Sequence, residues 1–408
     1  MAFGRLYDVP ATTRDRRARV ATAALFLTNG AIYANMLPRF PEIKTDLGLS
    51  NATYGAAVAA FSAGALVSGL TAGALIRRFN SSRIAVIATL GIASFVFVAG
   101  IAPSPLLFAA ALFVAGAADS VTDVAQNAHG LRVQRNYGRS IINSLHAVWS
   151  VGAISGGLMG AAAIALHIPR GVHLAFSGVL FSAVVLIAYP FLLRGPDHDD
   201  HPAAGTADGA KIGFGVVYAA LAALVGIAIA GAAIEDAGSS WATVYLRDSL
   251  STPAAIAAFG YIALVSFQFV GRFFGDRLVD RYGERAVARV GGLIAAAGMG
   301  AALAFPSVPA TVAGFAAAGF GSATLIPAAM HGADRVQGLR PGTGLTIVTW
   351  LCRLGFLMSP IIVGVVADAT SLRVGLLIVP IAGLLAMSLT GVLSAPHRSS
   401  RWSVRRQR

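Results

Sequence analysis

Asp119 and Asp123 stand four residues apart inside an apolar run that extends from Leu106 to about Leu131, and Gln126 and Asn127 follow them. On a helix these four positions share one face. The opposite face, with Val121, Val124 and Ala125, is apolar or small. An ionised aspartate at the centre of a hydrocarbon slab costs about 2.5–3.5 kcal/mol. Such a face must meet water, a partner or a solute. The chemistry it offers is reversible proton binding by Asp119 and Asp123, with Asn127 bonding a polar solute. The competing reading is a static hydrogen-bond network between helices.

Other polar side chains sit in equally apolar surroundings. Arg353 is flanked by Leu351, Leu354 and Phe356. An unpaired guanidinium is hard to tolerate there, so it should face the interior, to pair with a carboxylate or to bind an anionic or hydroxyl-rich solute. Glu235 precedes Asp236, with Trp241 and Tyr245 beyond; the group reads as a proton-coupling acid beside an outer gate, or as an interfacial cap with an aromatic belt. Asn143, His146 and Trp149 follow i, i+3, i+6, and His146 titrates near neutral pH when unperturbed. Asn29 and Tyr33 are four apart on another apolar segment. Trp350 could stack on a sugar face or fill the core. The candidate solute-binding set is therefore Asn29, Tyr33, Asn127, His146, Trp149, Trp350 and Arg353, and the proton-coupling set is Asp119, Asp123 and Glu235.

The elements that must position these residues follow from composition. Of 408 residues 56% are hydrophobic and only 12% charged, with a mean hydropathy of +0.71. A soluble chain carries about twice that charged fraction. Apolar runs predict twelve spanning helices, near 18–38, 52–76, 83–102, 105–131, 140–167, 171–193, 213–238, 253–276, 286–305, 308–333, 342–367 and 372–394. The net charge of +13 is a topology signal rather than a nucleic-acid footprint. Arg and Lys crowd the two tails and alternate connections, as in Arg77, Arg78, Arg83, then Arg132, Arg135, Arg139, then Arg277, Arg281, Arg285. That asymmetry places both termini in the cytoplasm. The basic tail 398–408 also suits anionic lipid. The first apolar run continues too directly into the fold to be a cleaved signal peptide. Cys352 is the one cysteine, so no intrachain disulfide can form.

An internal repeat recurs at a spacing of 203 residues. Arg132-Val133-Gln134 answers Arg335-Val336-Gln337, Leu75 and Arg78 answer Leu278 and Arg281, and Gly152 answers Gly355. Asp119 then answers Ser322, Asp123 answers Ile326, and Arg353 answers Ser150, so the charged residues belong to one half each. Residues 194–212, rich in Pro, Gly and acids, read as a cytoplasmic linker between an N-terminal bundle, 1–193, and a C-terminal bundle with its tail, 213–408. His198 and His201 lie among acids in that linker, but nothing there would hold a metal's geometry.

The connection after the second helix reads Gly73-Ala74-Leu75-Ile76-Arg77-Arg78-Phe79-Asn80, and after the eighth Gly275-Asp276-Arg277-Leu278-Val279-Asp280-Arg281-Tyr282-Gly283. These resemble the paired cytoplasmic signature of the major facilitator superfamily, roughly G-x-L-x-D-R-x-G-R. Leu278, Asp280, Arg281 and Gly283 fit the second copy. In the first, Gly73 and Arg78 fit, while Arg77 stands where the acid belongs and Asn80 where the second glycine does. The stretches 123–128 and 144–152, and Glu235 with Trp241 and Tyr245, resemble bacterial facilitators allied to the fucose permeases. Gly152, Gly156, Gly157 and Gly160 resemble the glycine series of antiporters in the superfamily, or simply permit close helix contact.

The resemblance implies an all-α membrane fold of two pseudo-symmetric six-helix bundles. It implies alternating access about a site near the bilayer midplane, with the first, fourth, seventh and tenth helices lining the path. No G-x-x-x-x-G-K-S/T, G-x-S-x-G or H-E-x-x-H motif is present, so neither an ATP-driven pump nor an enzyme is expected, and neither metal nor cofactor. The expectation is a multi-pass transporter of the bacterial cytoplasmic membrane, monomeric, whose partners are protons, lipid and a small polar, sugar-like solute. The alternatives are a proton-driven antiporter exporting drugs or a metabolite, and a receptor that keeps the fold without transport.

Overall fold

The computed structural model describes residues 12–137, 140–195, 214–336, 338–339 and 342–393. Twelve helical segments among them are long and apolar enough to cross a membrane. They are α1 (Thr13–Asp46), α2 (Asn51–Phe79), α3 (Ser81–Gly100), α4 (Pro105–Tyr137), α5 (Ile142–Ala165), α6 (Arg170–Phe191), α7 (Val217–Ser249), α8 (Ala254–Tyr282), α9 (Glu284–Ala304), α10 (Val308–Asp334), α11 (Thr343–Ala369) and α12 (Leu372–Val392). At 1.5 Å rise per residue, about twenty residues cross a hydrocarbon layer roughly 30 Å thick. The proposed linker lies, beyond Gly195, outside the described residues, as does the basic tail.

Proline sets most of the interruptions. Pro327 and Pro380 have no N–H to offer the carbonyls of Ala323 and Leu376, and their rings crowd those groups. α10 accordingly breaks at Ala323–Thr324 and α12 at Leu376–Leu377. Pro38 and Pro41 turn the end of α1 through a short 3-10 stretch at Leu37–Arg39. The seventh helix departs from expectation. It does not stop near 238 but continues to Val244 and ends in a π-turn, Tyr245–Ser249. Glu235 and Asp236 look like a helix end in a hydropathy profile, and the Gly, Ser, Thr and Val after them are poor helix formers; the helix continues because that segment is buried against its neighbours.

The two halves pack alike. α1 lies on α5, α2 on α4, and α3 on α4 and α6; α7 lies on α11, α8 on α10, and α9 on α10 and α12. Glycine permits the closest approaches, and the 203-residue register holds there. A Cβ at Gly116 would overlap the Phe61 carbonyl, and a Cβ at Gly319 would overlap the Leu264 carbonyl. The paired signature has equal geometry as well. Asn80 and Gly283 both cap their helices at positive φ, 71° and 81°. Arg78 lies over the Phe79 ring and Arg281 over the Tyr282 ring, each 5.4 Å from the centroid. Gly73 sits about two turns before this cap, and Asp280 is exposed. At φ 71° and ψ 148° Asn80 lies outside the αL region that Asn tolerates, so the cap that suits Gly283 is strained at Asn80.

The series Gly152, Gly156, Gly160 is explained by packing. Each abuts α1, against Leu27, Ala31 and Asn35 with Pro38, while Gly157 meets Tyr261 of the other half. Small residues here let backbones touch.

With twelve spans, the first and last described residues lie at one end of the bundle, the terminal end. At the opposite, far end the halves are joined tightly. The Tyr54 hydroxyl donates to the Ser240 carbonyl at 2.7 Å, and its ring meets Trp241 edge-on at 4.8 Å. Lys44 pairs with Asp248 at 3.0 Å. The Asp368 carboxylate accepts from the Asn51 and Ala52 N–H groups at 2.9 and 2.8 Å, closing the N-terminus of α2. A Cβ at Gly55 would overlap the Pro360 carbonyl. Near the terminal end the exposed Asn143 amide reaches Asp276 at 3.4 Å.

Candidate functional site

α4 carries Asp119, Asp123 and Asn127 on one face, half-buried, with Gln126 buried beside them. The face exists because positions four apart stack along a helix. Two small networks use it. In the deeper one, the Asn29 amide of α1 donates to Asp119 at 2.7 Å, and its oxygen accepts the Trp149 indole N–H of α5 at 2.8 Å and the Gln126 amide at 3.3 Å. In the shallower one, Asn127 donates to the Asp123 carboxylate at 2.9 Å and its oxygen lies 3.1 Å from His146 Nε2. His146 is exposed and sits edge-on to Phe26 at 5.2 Å.

Exposure falls with depth. Asn143, His146, Arg272 and Asp276 are exposed, the two aspartates and Asn127 are half-buried, and Asn29 is buried. The acids are thus reached from the terminal end, and the far-end closure bars them from the other side.

The second half contributes less polarity. Arg353 of α11 donates through Nη1 to the Ala65 carbonyl at 3.0 Å and to Ser120 Oγ at 3.2 Å, crossing between halves beside Asp119. These acceptors are neutral, so the expected carboxylate partner is not engaged here. Glu235 of α7 pairs with Arg272 of α8 at 3.5 Å, with side-chain exposures of 18% and 37%. Tyr33 stacks on Phe61 at 4.2 Å. Trp350 is 43% exposed, one turn from Arg353, and among the described residues makes no hydrogen bond or ring contact with either network. α10 places Ile326 and Ser322 opposite the α4 acids in the repeat, and the Ser322 hydroxyl bonds its own helix at Gly319 O.

The structure therefore gathers Asp119, Asn29 and Trp149, and separately Asp123, Asn127 and His146. It leaves Trp350 apart and puts Glu235 in another pair. Trp241 and Tyr245, 0% and 1% exposed, form no interfacial belt. They are buried because α7 continues past Asp236 into the far-end closure. Sequence reasoning missed Arg272 as the Glu235 partner, although an arginine within an apolar span was its signal. It also missed Tyr54 and Ser120, for which a lone Tyr or Ser in a span gives none. Among the described residues no cluster of metal-ligating side chains occurs.

Comparison with known proteins agrees with the architecture. A family model described as the Major Facilitator Superfamily matches residues 22–277. The chain is 29% identical over 371 residues to the uncharacterised transporter y4wD of Sinorhizobium fredii, covering 91% of this chain and 97% of that one. It is 28% identical over 387 residues to the membrane protein MosC of Rhizobium meliloti, covering 93% and 90%. Its fold resembles the nucleoside transporter NupG, with a TM-score of 0.70, 13% identity and coverage of 93% and 99%. It equally resembles a bacterial homologue of the human lysosomal transporter Spinster in an inward-facing, occupied conformation, with a TM-score of 0.71, 15% identity and coverage of 92% and 95%. The match to the family model over more than half the chain, on a scaffold of twelve spans in two like-packed halves, means that this chain belongs to the major facilitator superfamily and is a multi-pass membrane transporter.

Proposed function

We propose that the transporter moves a small polar, sugar-like solute by alternating access, coupled to protons through Asp119 and Asp123. In this reading it is a monomer in the bacterial cytoplasmic membrane with its termini in the cytoplasm, so the conformation described is inward-facing. The observation that carries the reading is the pair of acid-containing networks on α4, open to the terminal end and closed off at the far end. Protonation of either aspartate removes a charge from the path, which lets the halves close over it; one charge crossing 100 mV supplies about 2.3 kcal/mol. The linings favour a hydroxylated solute over a drug: Asn127 and the exposed His146 can exchange their mutual hydrogen bond for one to a solute, and Asn29 and Trp149 hold a polar wall behind them, where a drug exporter would offer a wide apolar one. Arg353 has guanidinium donors beyond the single nitrogen that bonds Ala65 and Ser120, and among the described residues these have no acceptor, so they can take solute hydroxyls.

The test has two stages. A thermal-shift screen of the purified chain against sugars, nucleosides, organic acids and drugs identifies the solute. Uptake into proteoliposomes under an imposed pH gradient then follows. Gradient-driven uptake that persists in the Asp119→Asn, Asp123→Asn double variant ends the coupling assignment. Stabilisation by apolar cations alone favours the exporter.

A further inference from the structure

Two intramembrane acids of α7 lie outside both networks. Glu235 pairs with Arg272, while the adjacent Asp236 has no ion-pair partner among the described residues. Its Oδ1 accepts the Ser240 hydroxyl at 3.4 Å. Its Oδ2 is shut off from solvent and, among the described residues, has no hydrogen-bond partner. The groups facing it from each packed element are Glu235 on its own helix, the phenols of Tyr33 from α1 and Tyr54 from α2, and the Ser359 hydroxyl from α11. None is positively charged. Tyr54 donates to the Ser240 carbonyl at 2.7 Å, and the Ser359 hydroxyl lies against both the carboxyl and the Ala233 carbonyl, 3.2 Å away. A hydroxyl has one proton, so Ser359 offers the carboxyl at most one neutral hydrogen bond, given up by Ala233. An ionised carboxylate accepts and cannot donate, and burying it without a partner is costly. A carboxylic acid in the same place has a proton to give.

Ser240 makes the link to the far end. Its hydroxyl contacts Asp236, its carbonyl takes Tyr54, and the next residue, Trp241, holds the Tyr54 ring. Opening the far end separates α2 from α7, and that movement must break the Tyr54 contact and admit water to this face of α7. We propose that Asp236 is a second proton-binding site, carrying its proton while the far end is closed and releasing it to far-side water when Tyr54 leaves Ser240. The step is a proton transfer alone: the Oδ2–H bond breaks, a water takes the proton, and closure requires a proton to return. Tyr33 lies within electrostatic reach of both Asp236 and Asp119, which places a phenol between the far-side proton site and the terminal-side one. The proposal rests on the proton-coupled reading and adds to it an acid in the other half, open to the other solution.

Infrared spectroscopy of the purified full-length chain tests it through the carbonyl stretch of protonated carboxylic acids. At neutral pH the band should survive in the Asp119→Asn, Asp123→Asn double variant, disappear when Asp236→Asn is added, and remain with Asp236→Glu. A double variant whose spectrum is indifferent to Asp236→Asn overturns the proposal. A second readout needs no solute. In a Cys352→Ala background, a cysteine at Ala57, buried near Tyr54, reports far-end opening to a membrane-impermeant maleimide. Labelling, divided at each pH by that of the same cysteine in denatured protein so that thiolate formation cancels, should rise with pH, by at most about tenfold per unit for one titrating group. With Asp236→Asn it should stay low and flat. A pH response that survives Asp236→Asn overturns the proposal in a folded protein. Failure of the coupling reading itself looks different: solute flux ignores the pH gradient while the Asp236 band persists.

Discussion

Asn29 donates to Asp119 across 2.7 Å, and it can do so in one orientation only. The Trp149 indole is a donor without acceptor capacity and approaches the other end of the Asn29 amide at 2.8 Å. The oxygen must face Trp149, so the NH2 must face the aspartate. Asn29 thus acts first as a fixed donor to Asp119, and its oxygen is already taken by Trp149 and Gln126.

Removing that amide should be felt in stability and in coupling together. Asn29→Ala leaves the Trp149 and Gln126 donors and the Asp119 acceptor without their partner, at about 1–3 kcal/mol for each buried group left unsatisfied. The expected result is a lower melting temperature and slower gradient-driven uptake. Unchanged melting would show that the amide is replaceable by water.

Neutralising the aspartates separates exchange from accumulation. Asp119→Asn with Asp123→Asn keeps hydrogen-bonding groups in place but removes the exchangeable proton. Solute counterflow between two pools at equal pH should persist, while accumulation against a gradient driven by pH should vanish. Both are measured in the same proteoliposomes.

Arg353 ties the halves together at mid-depth through Ala65 and Ser120. Arg353→Ala should reduce or abolish the thermal shift given by the solute, because the free guanidinium donors are lost. It should also weaken the closed far end by about 1.5–3 kcal/mol, the usual worth of a charged hydrogen bond. Arg353→Lys should recover the helix contact but not the solute shift, since an ammonium lacks the planar fork. Thermal shifts with and without solute distinguish the two effects.

The far-end closure depends on backbones in contact. A Cβ at Gly55 would overlap the Pro360 carbonyl, so Gly55→Val penalises the closed state alone. An overpacking cost of about 1–3 kcal/mol shifts the equilibrium toward far-end opening by roughly five- to 150-fold. Labelling of a cysteine at Ala57 should rise accordingly. Unchanged labelling would mean that α2 and α11 move apart elsewhere.

Asn80 offers a gain in stability. Its φ of 71° and ψ of 148° lie in a region costly to any residue with a Cβ, on the order of 1–3 kcal/mol. Asn80→Gly should raise the melting temperature, and Gly283→Ala, at the equivalent cap, should lower it.

Much of this molecule is written locally. Spanning segments follow from run lengths of apolar residues, because a hydrocarbon slab asks only for enough unbroken helix. The repeat was legible in Arg132-Val133-Gln134 with Arg335-Val336-Gln337 and in Gly152 with Gly355; the structure adds Gly116 and Gly319, which meet Phe61 and Leu264 at matching positions where only glycine fits. The shared face of Asp119, Asp123 and Asn127 is a consequence of helical pitch. Where the profile failed, at the end of α7, two acids inside an apolar span looked like a boundary. Only their burial against other helices makes them tolerable there.

By itself, then, the sequence determined a twelve-span chain in two related halves with acids on one face of α4, since length, period and repeat are properties of neighbours along the chain. The tertiary structure alone decided that Asn29 serves Asp119, that Arg272 answers Glu235, that Arg353 meets neutral acceptors, and that Asp236 stands without a cation beneath the far-end closure. Each of those facts depends on side chains from separate helices meeting in a low-dielectric interior, where a partner's identity sets the cost of a charge and no spacing along the chain encodes it.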